Sequence, residues 1–269
     1  MEQQRHIFEP LSRNSLLKQL QWHPQRLYAR IVGRYGTLRR PTFKPNPITV
    51  MCIGRNYADH IKELNNQRPK QPFFFLKPPT SILLPNEGPV LRPRGVTMHY
   101  EIELGLVMGK TVKDMHEEDK SWMDAIDSYI LAIDMTARNV QDEAKRKGLP
   151  WSIAKGFDTF LPISSPISKT QLPDPHNAHL WLSVNDQVQQ ADSTELMLFR
   201  IPRQLSEISK VMTLEAGDIV LTGTPKGVGP VGTGDVMRAG MKVDGREVKE
   251  ANMEVAVVDR EGLYEFKET

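Results

Sequence analysis

The 269-residue sequence predicts a mainly β (α+β) fold with a few short helices. Three observations carry that expectation. Short apolar runs of strand length recur from Ile48 to Val258 between turn-forming residues. Only two segments show helical periodicity. Strands and helices do not alternate as a doubly wound parallel sheet requires.

In chain order, Ile48–Ile53 and Phe73–Leu76 are continuous apolar runs. His99–Met108 alternates and then becomes continuously apolar. Tyr129–Met135, Leu180–Val184, Asp218–Thr222 and Met253–Val258 also read as strands. Asn185-Asp186, between Leu182–Val184 and Val188, predicts a hairpin turn. Thr136–Lys147 reads as a helix with Thr136 as its cap and Gly148-Leu149-Pro150 as its stop. Ile201–Met212 places Ile201, Leu205, Ile208 and Met212 on one helical stripe. Trp151–Ala154 has strand character. The sequence has no internal repeat.

Composition narrows the function classes. Hydrophobic residues make up 39% and charged residues 25%, which fits a folded globular chain and excludes disordered, collagenous and coiled-coil readings. No apolar run reaches the roughly 18 residues of a membrane span, so no membrane partner is expected. The single cysteine, Cys52, excludes an internal disulfide and a Cys-based zinc site and points to a reducing compartment. The net charge of +2 is unevenly spread: residues 1–58 hold ten Lys/Arg and only Glu2 and Glu9, whereas residues 59–269 hold 25 basic and 31 acidic residues. Residues 1–45 therefore read as an Arg-rich, acid-poor leader of mitochondrial transit type, with a basic tail lacking any address as the alternative. Its Lys/Arg are dispersed rather than clustered, so no nucleic-acid partner is expected. Pro41, Pro45 and Pro47 mark a linker, and residues 46–269 are expected to form one folded domain. Mitochondrial matrix residence is the expectation, with the cytoplasm as alternative.

The most informative segment is His99-Tyr100-Glu101-Ile102-Glu103-Leu104. On a strand, Glu101 and Glu103 share one face, roughly 7 Å apart. Two carboxylates facing one buried space repel unless a cation lies between them. Asp134, at the end of an apolar strand, adds a third. Three carboxylates without cysteine specify a hard cation with oxygen ligands, for which Mg²⁺ (or Mn²⁺ as substitute) fits best. An exposed strand face equally describes Glu-x-Glu, and a helix cap equally describes Asp134.

These residues belong to a larger set. Ile53-Gly54-Arg55-Asn56-Tyr57-Ala58-Asp59-His60, Phe75-Leu76-Lys77-Pro78, His99–Leu104, Leu131–Lys155 and Leu221-Thr222-Gly223-Thr224-Pro225 through Gly229 occur in the order seen in the fumarylacetoacetate hydrolase superfamily. The chain resembles its small single-domain mitochondrial branch of acylpyruvases, oxaloacetate decarboxylases and oxaloacetate tautomerases. The resemblance implies a mixed β-sandwich roll like the fumarylacetoacetate hydrolase C-terminal domain, a homodimer, and a small-molecule 2-oxo acid as substrate. It implies Glu101, Glu103 and Asp134 as metal ligands and His60 with Glu63 as a water-activating pair. It places Arg55, Lys77, Arg138, Gln141, Lys155 and Thr224 at the substrate. Pro85–Gly95 differs in length among relatives.

The chemistry needs such groups. A 2-oxo acid offers a carboxylate and a neighbouring carbonyl oxygen to one cation, which offsets charge developing as an enolate forms. Enol–keto tautomerisation of oxaloacetate is the leading expectation, with oxaloacetate decarboxylation and acylpyruvate hydrolysis at the same site as alternatives. His60 and Glu63, three apart, share a helical face, so Glu63 can orient the imidazole as a base; a surface histidine is the plainer reading. Lys155 beside a cation would have a lowered pKa suited to proton exchange at C3, and a surface lysine is again the plainer reading. Arg138 and Gln141 share a face of the 136–147 helix, where Arg138 can grip a carboxylate or pair with Asp142. The turn Gly223–Gly229 lacks the spacing of a nucleotide loop, and its N–H groups with the Thr224 hydroxyl suit a carboxylate. A catalytically silent binding protein, and isomerase, hydratase or hydrolase work on aromatic-ring degradation products, are the other readings.

Overall fold

The computed structural model describes residues 48–63 and 67–268. The expected leader at 1–45, the linker prolines 41, 45 and 47, and Leu64 lie outside them. Among the described residues the chain is mostly β, with four short α-helices.

Its first sheet has five strands in the order β2-β1-β12-β6-β7. These are β1 (Val50–Gly54), β2 (Phe73–Lys77), β6 (Ile102–Met108), β7 (Ile126–Ile133) and β12 (Ile219–Leu221). β1 runs parallel to β12, and the other pairings are antiparallel. β1 and β12 are buried throughout, which is why they read as continuous apolar runs rather than as alternation.

A second sheet runs β11-β10-β14-β16-β4, with β15 on β14. Its members are β4 (Val90–Arg92), β10 (His179–Val184), β11 (Gln187–Ser193), β14 (Val236–Val243), β15 (Arg246–Glu247) and β16 (Met253–Asp259). Asn185 and Asp186, at φ 48 and 67, make the expected hairpin between β10 and β11. Leu104 and Leu106 of β6 share one core with Leu180 and Leu182 of β10 and with Met237 and Met241 of β14, so the two sheets seal a common interior. The remaining strands are short. β5 (Met98–Tyr100) lies between β13 (Gly229–Val231) and β8 (Thr136–Ala137), and β3 (Ile82–Leu83) pairs with β9 (Leu161–Pro162).

Four expectations are corrected. His99–Met108 is not one strand: the chain leaves the small sheet at Tyr100 and enters the five-stranded sheet at Ile102. The Ile102 N–H at this crossing donates to the Gln190 side chain at 2.9 Å. Thr136 does not cap a helix, because its hydroxyl donates to Glu101 at 2.9 Å, and the helix begins two residues later as α2 (Arg138–Lys147). α2 does end as expected on Gly148 at φ 66, whose amide returns to the last turn. Trp151–Ala154 is not a strand, since Ser152–Lys155 forms the single turn α3. The Ile201–Met212 helix is shorter, α4 (Ile201–Ser209), with proline in its first turn.

One buried amide ties the fold together beside the site. Asn56, just after β1, donates to the carbonyls of Thr222 (2.8 Å) and Phe199 (3.1 Å) and accepts from the Phe199 N–H (2.7 Å). It is wholly buried. Asn56→Ala strands those backbone groups without water, so urea denaturation is expected to show a loss of about 3 kcal/mol with an unchanged slope.

Candidate metal centre and active site

The crossing at Tyr100–Ile102 sets the site. Glu101 sits in the break, Glu103 in the first turn of pleat of β6, and Asp134 directly after β7. The Asp134 N–H donates to the Glu101 carbonyl at 2.8 Å, which locks the two segments side by side. Each of the three carboxylates offers an oxygen, and these oxygens all lie within 4.8 Å of one another. All three residues are buried.

Buried carboxylates require compensation, and each receives it. The Lys155 ammonium donates to Glu101 Oε2 at 2.9 Å and to Asp134 Oδ2 at 2.6 Å. Lys77, fully buried behind Asp134, donates to Asp134 Oδ1 at 2.8 Å and to the Met135 carbonyl at 3.2 Å. Arg138 donates to Glu101 Oε1 at 2.7 Å. Glu103 accepts the Gly223 N–H at 2.7 Å. Gly223 holds φ +97, and a Cβ there would fall 2.7 Å from Asn56 Cβ, so the turn that aims this amide requires glycine. The expected amide–carboxylate contact of the Gly223–Gly229 turn therefore exists, with the protein's own Glu103 as acceptor.

Electrostatics separate the three acids. Burial pushes Glu101 up, but Lys155, Arg138 and His60 together hold it far below the usual carboxylate range. Burial, Asp134 and Glu101 push Glu103 well above that range, against the pull of Lys155 and Gly223. This is the pattern of carboxylates crowded together to hold positive charge. Their oxygens, without a sulfur or imidazole among them, fit a hard divalent cation.

Above the carboxylates a pocket is lined by Arg55, His60, Glu101, Glu103, Arg138, Gln141, Lys155 and Thr224, with Phe75, Lys145 and Trp151 on its rim. Most of the residues expected at the site thus converge. His60 lies on α1 (Ala58–Glu63), and its Nδ1 is 3.5 Å from Glu63 Oε2, as the three-residue spacing requires. Glu63 in turn accepts the Gly227 N–H at 3.1 Å, so it reaches the glycine turn rather than lining the pocket. Burial lowers the His60 pKa, although Glu101 and Glu63 oppose it, so its imidazole is neutral near pH 7.

Three residues differ from expectation. Lys77, expected at the substrate, does not line this pocket and is taken up by Asp134 and the Met135 carbonyl. Burial pulls the Lys155 pKa down, but Asp134 and Glu101 outweigh it and raise it above the normal lysine value; its ammonium is held protonated by the acids themselves. Arg138 does not pair with Asp142. Its NH2 meets Glu101, its NH1 meets Gln141 Oε1 at 2.6 Å and its Nε meets His99 Nδ1 at 3.3 Å, so every nitrogen has a protein acceptor.

Sequence reasoning overlooked Gln190. It is fully buried on β11, takes the Ile102 N–H and donates to Thr224 Oγ1 and the Pro225 carbonyl, each at 2.9 Å. It thereby fastens the metal strand to the Thr224 turn. Its local sequence, Gln187–Ser193, is mostly polar and carries no signal for this role.

Comparison with known proteins agrees with this arrangement. The model of the fumarylacetoacetate (FAA) hydrolase C-terminal family matches residues 49–257. The mitochondrial oxaloacetate tautomerase of Schizosaccharomyces pombe is 56% identical over 191 residues, covering 71% of this chain and 86% of the relative. That of Saccharomyces cerevisiae is 44% identical over 252 residues, covering 82% and 96%. Among solved structures, a yeast fumarylacetoacetate hydrolase family protein superposes with a TM-score of 0.74 at 43% identity, covering 82% of this chain and 96% of that one. Fumarylpyruvate hydrolase from Pseudomonas aeruginosa, solved with Mn²⁺ and pyruvate, gives 0.71 at 29% identity, covering 82% and 100%. The matched family model spans the site-bearing strands and both glutamates, and the chain belongs to the fumarylacetoacetate hydrolase C-terminal family.

Proposed function

We propose that this protein is an oxaloacetate enol–keto tautomerase that works with Mg²⁺, or Mn²⁺ in its place, held by Glu101, Glu103 and Asp134. The observation that carries the reading is the convergence of three buried carboxylates beneath a pocket that also holds His60 and Lys155. The S. pombe and S. cerevisiae relatives bear the name oxaloacetate tautomerase.

Charge balance supports the substrate class. Lys77, Lys155 and Arg138 pair with Glu101 and Asp134, and Arg55 and Lys145 also line the pocket. A divalent cation added to this set makes the pocket strongly positive, which suits an anionic substrate. Bound there, the cation would draw charge from the 2-oxo oxygen as the enolate forms.

Tautomerisation removes a proton from oxygen and adds one to C3. The pocket holds one group for each task. His60 is kept neutral by burial and oriented by Glu63, so it can take the proton. The Lys155 ammonium lies in the pocket beside Glu101 and Asp134, so it can deliver the proton to C3. Neighbouring titratable groups driven in opposite directions are the mark of an acid–base pair. Gln141 and Thr224 offer neutral hydrogen-bonding groups to the substrate, and Arg138 holds Glu101 and Gln141 in place. Decarboxylation of oxaloacetate is a second reading, favoured by a 49% identical Dictyostelium discoideum relative named oxaloacetate decarboxylase. The names of these relatives also support mitochondrial residence, consistent with the basic, acid-poor leader. The homodimer implied by the family resemblance is part of the same proposal.

Two experiments test the reading. Enol-oxaloacetate conversion, followed by loss of enol absorbance, is expected to need a divalent cation and to fall at least 100-fold in Glu101→Ala and in Asp134→Ala; unchanged rates in both variants would sink it. The acid limb of kcat/KM is expected below pH 6.5, because activity is lost only as His60 protonates. Glu63 raises the His60 pKa through its charge and hydrogen bond. Glu63→Gln should therefore move that limb to still lower pH while reducing the plateau; a limb that stays put or moves up contradicts the pairing.

A further inference from the structure

The less buried side of the pocket carries an arrangement that the proton-transfer groups do not use. Phe73 and Phe75 alternate on β2, and both meet Trp151 edge to face, at 6.0 and 5.4 Å between centroids. A cation lies on each end of this aromatic ledge. The Arg55 guanidinium is 5.6 Å from the Phe73 ring centre, and the Lys145 ammonium is 5.7 Å from that of Trp151. Both side chains line the pocket that opens over the carboxylates.

Three facts mark these cations as poised for an anion. First, they are poorly compensated. Arg55 has no hydrogen-bonded acceptor among the described residues, and Lys145 has only a 3.4 Å contact to Asp142. Burial, and then Arg138, push the Lys145 pKa down; Asp142 opposes them, and Arg55 adds to the fall. Second, Arg55 is held at φ 56, a left-handed conformation that a non-glycine residue adopts at a cost. Third, the remaining pocket guanidinium is already committed, since each nitrogen of Arg138 donates to Glu101, Gln141 or His99. Like charges gathered over aromatic faces, with one long contact to Asp142 between them, are stabilised when an anion arrives.

We propose that Arg55 and Lys145, seated on the Phe73–Trp151 ledge, form a second anion site. It takes the distal carboxylate of a 2-oxo-dicarboxylate whose 2-oxo-carboxylate end lies over Glu101, Glu103 and Asp134, and so selects dicarboxylates over 2-oxo monoacids. The inference rests on the 2-oxo acid reading above and deepens it. Arg55 and Lys145 are specificity residues in this account, and neither exchanges a proton with the substrate.

The test uses the full-length protein loaded with Mn²⁺, with ligand binding read from the relaxation of water protons at the ion. Fresh oxaloacetate is compared with pyruvate, which lacks the distal carboxylate. The wild-type protein is expected to bind oxaloacetate at least tenfold more tightly than pyruvate. Lys145→Met and Arg55→Gln should each weaken oxaloacetate about tenfold while leaving pyruvate within twofold, and Lys145→Arg should restore the preference. An absence of preference in the wild type overturns the inference. So does an equal loss for both ligands in the variants, or no loss for either. Turnover measured on the same preparations separates the two claims: a wild type that shows the preference yet converts no 2-oxo acid keeps the anion site and defeats the tautomerase reading.

Discussion

Three carboxylates gathered out of water impose a constraint on everything around them. Isolated, they would repel and would cost several kcal/mol each to bury. Lys77 and Lys155 on Asp134, Lys155 and Arg138 on Glu101, and the Gly223 amide on Glu103 supply the compensation. Each donor comes from a different part of the chain, so the cluster forms only when β2, α2, α3 and the turn after β12 have docked. Much of the architecture follows from that requirement. The chain breaks from one sheet to another at Glu101, Thr136 gives up a capping role to reach it, and Gly223 adopts a backbone conformation that points its N–H inward.

The same charges prepare the chemistry. His60 loses affinity for its proton because it is buried, while Lys155 gains affinity because two acids grip it. In the proposed mechanism, acid and base functions arise from surroundings rather than from residue type alone. On the proposed reading, one carboxylate floor would serve both tautomerisation and decarboxylation, the activities named among the relatives.

The legible part of the site was local. Glu101 and Glu103, two apart beside a strand, and Asp134 at a strand end, announce themselves by placing acid where apolar residues belong. His60 and Glu63 follow from helical spacing, and Asn185-Asp186 from turn chemistry. What stayed hidden depends on long-range contact. Gln190 gives no hint in a polar strand that its amide spans from Ile102 to Thr224. Thr136 reads as a cap until Glu101 is seen 2.9 Å away. The grip of Lys155 on Glu101 and Asp134 also stayed hidden, because those acids lie 54 and 21 residues away in the sequence. β14, with Gly240 and charged residues among its apolar ones, lacked a clean period because it lies inside a sheet whose neighbours, β10 and β16, supply its context.

Anomalous diffraction from crystals grown with Mn²⁺ tests the central claim most directly. The account predicts a single strong peak at this centre, within coordination distance of Glu101, Glu103 and Asp134 together, with the Lys155 ammonium shifted away from at least one of its present partners. A well-ordered site with no peak there, or a peak bound by only one of the three carboxylates, would contradict it.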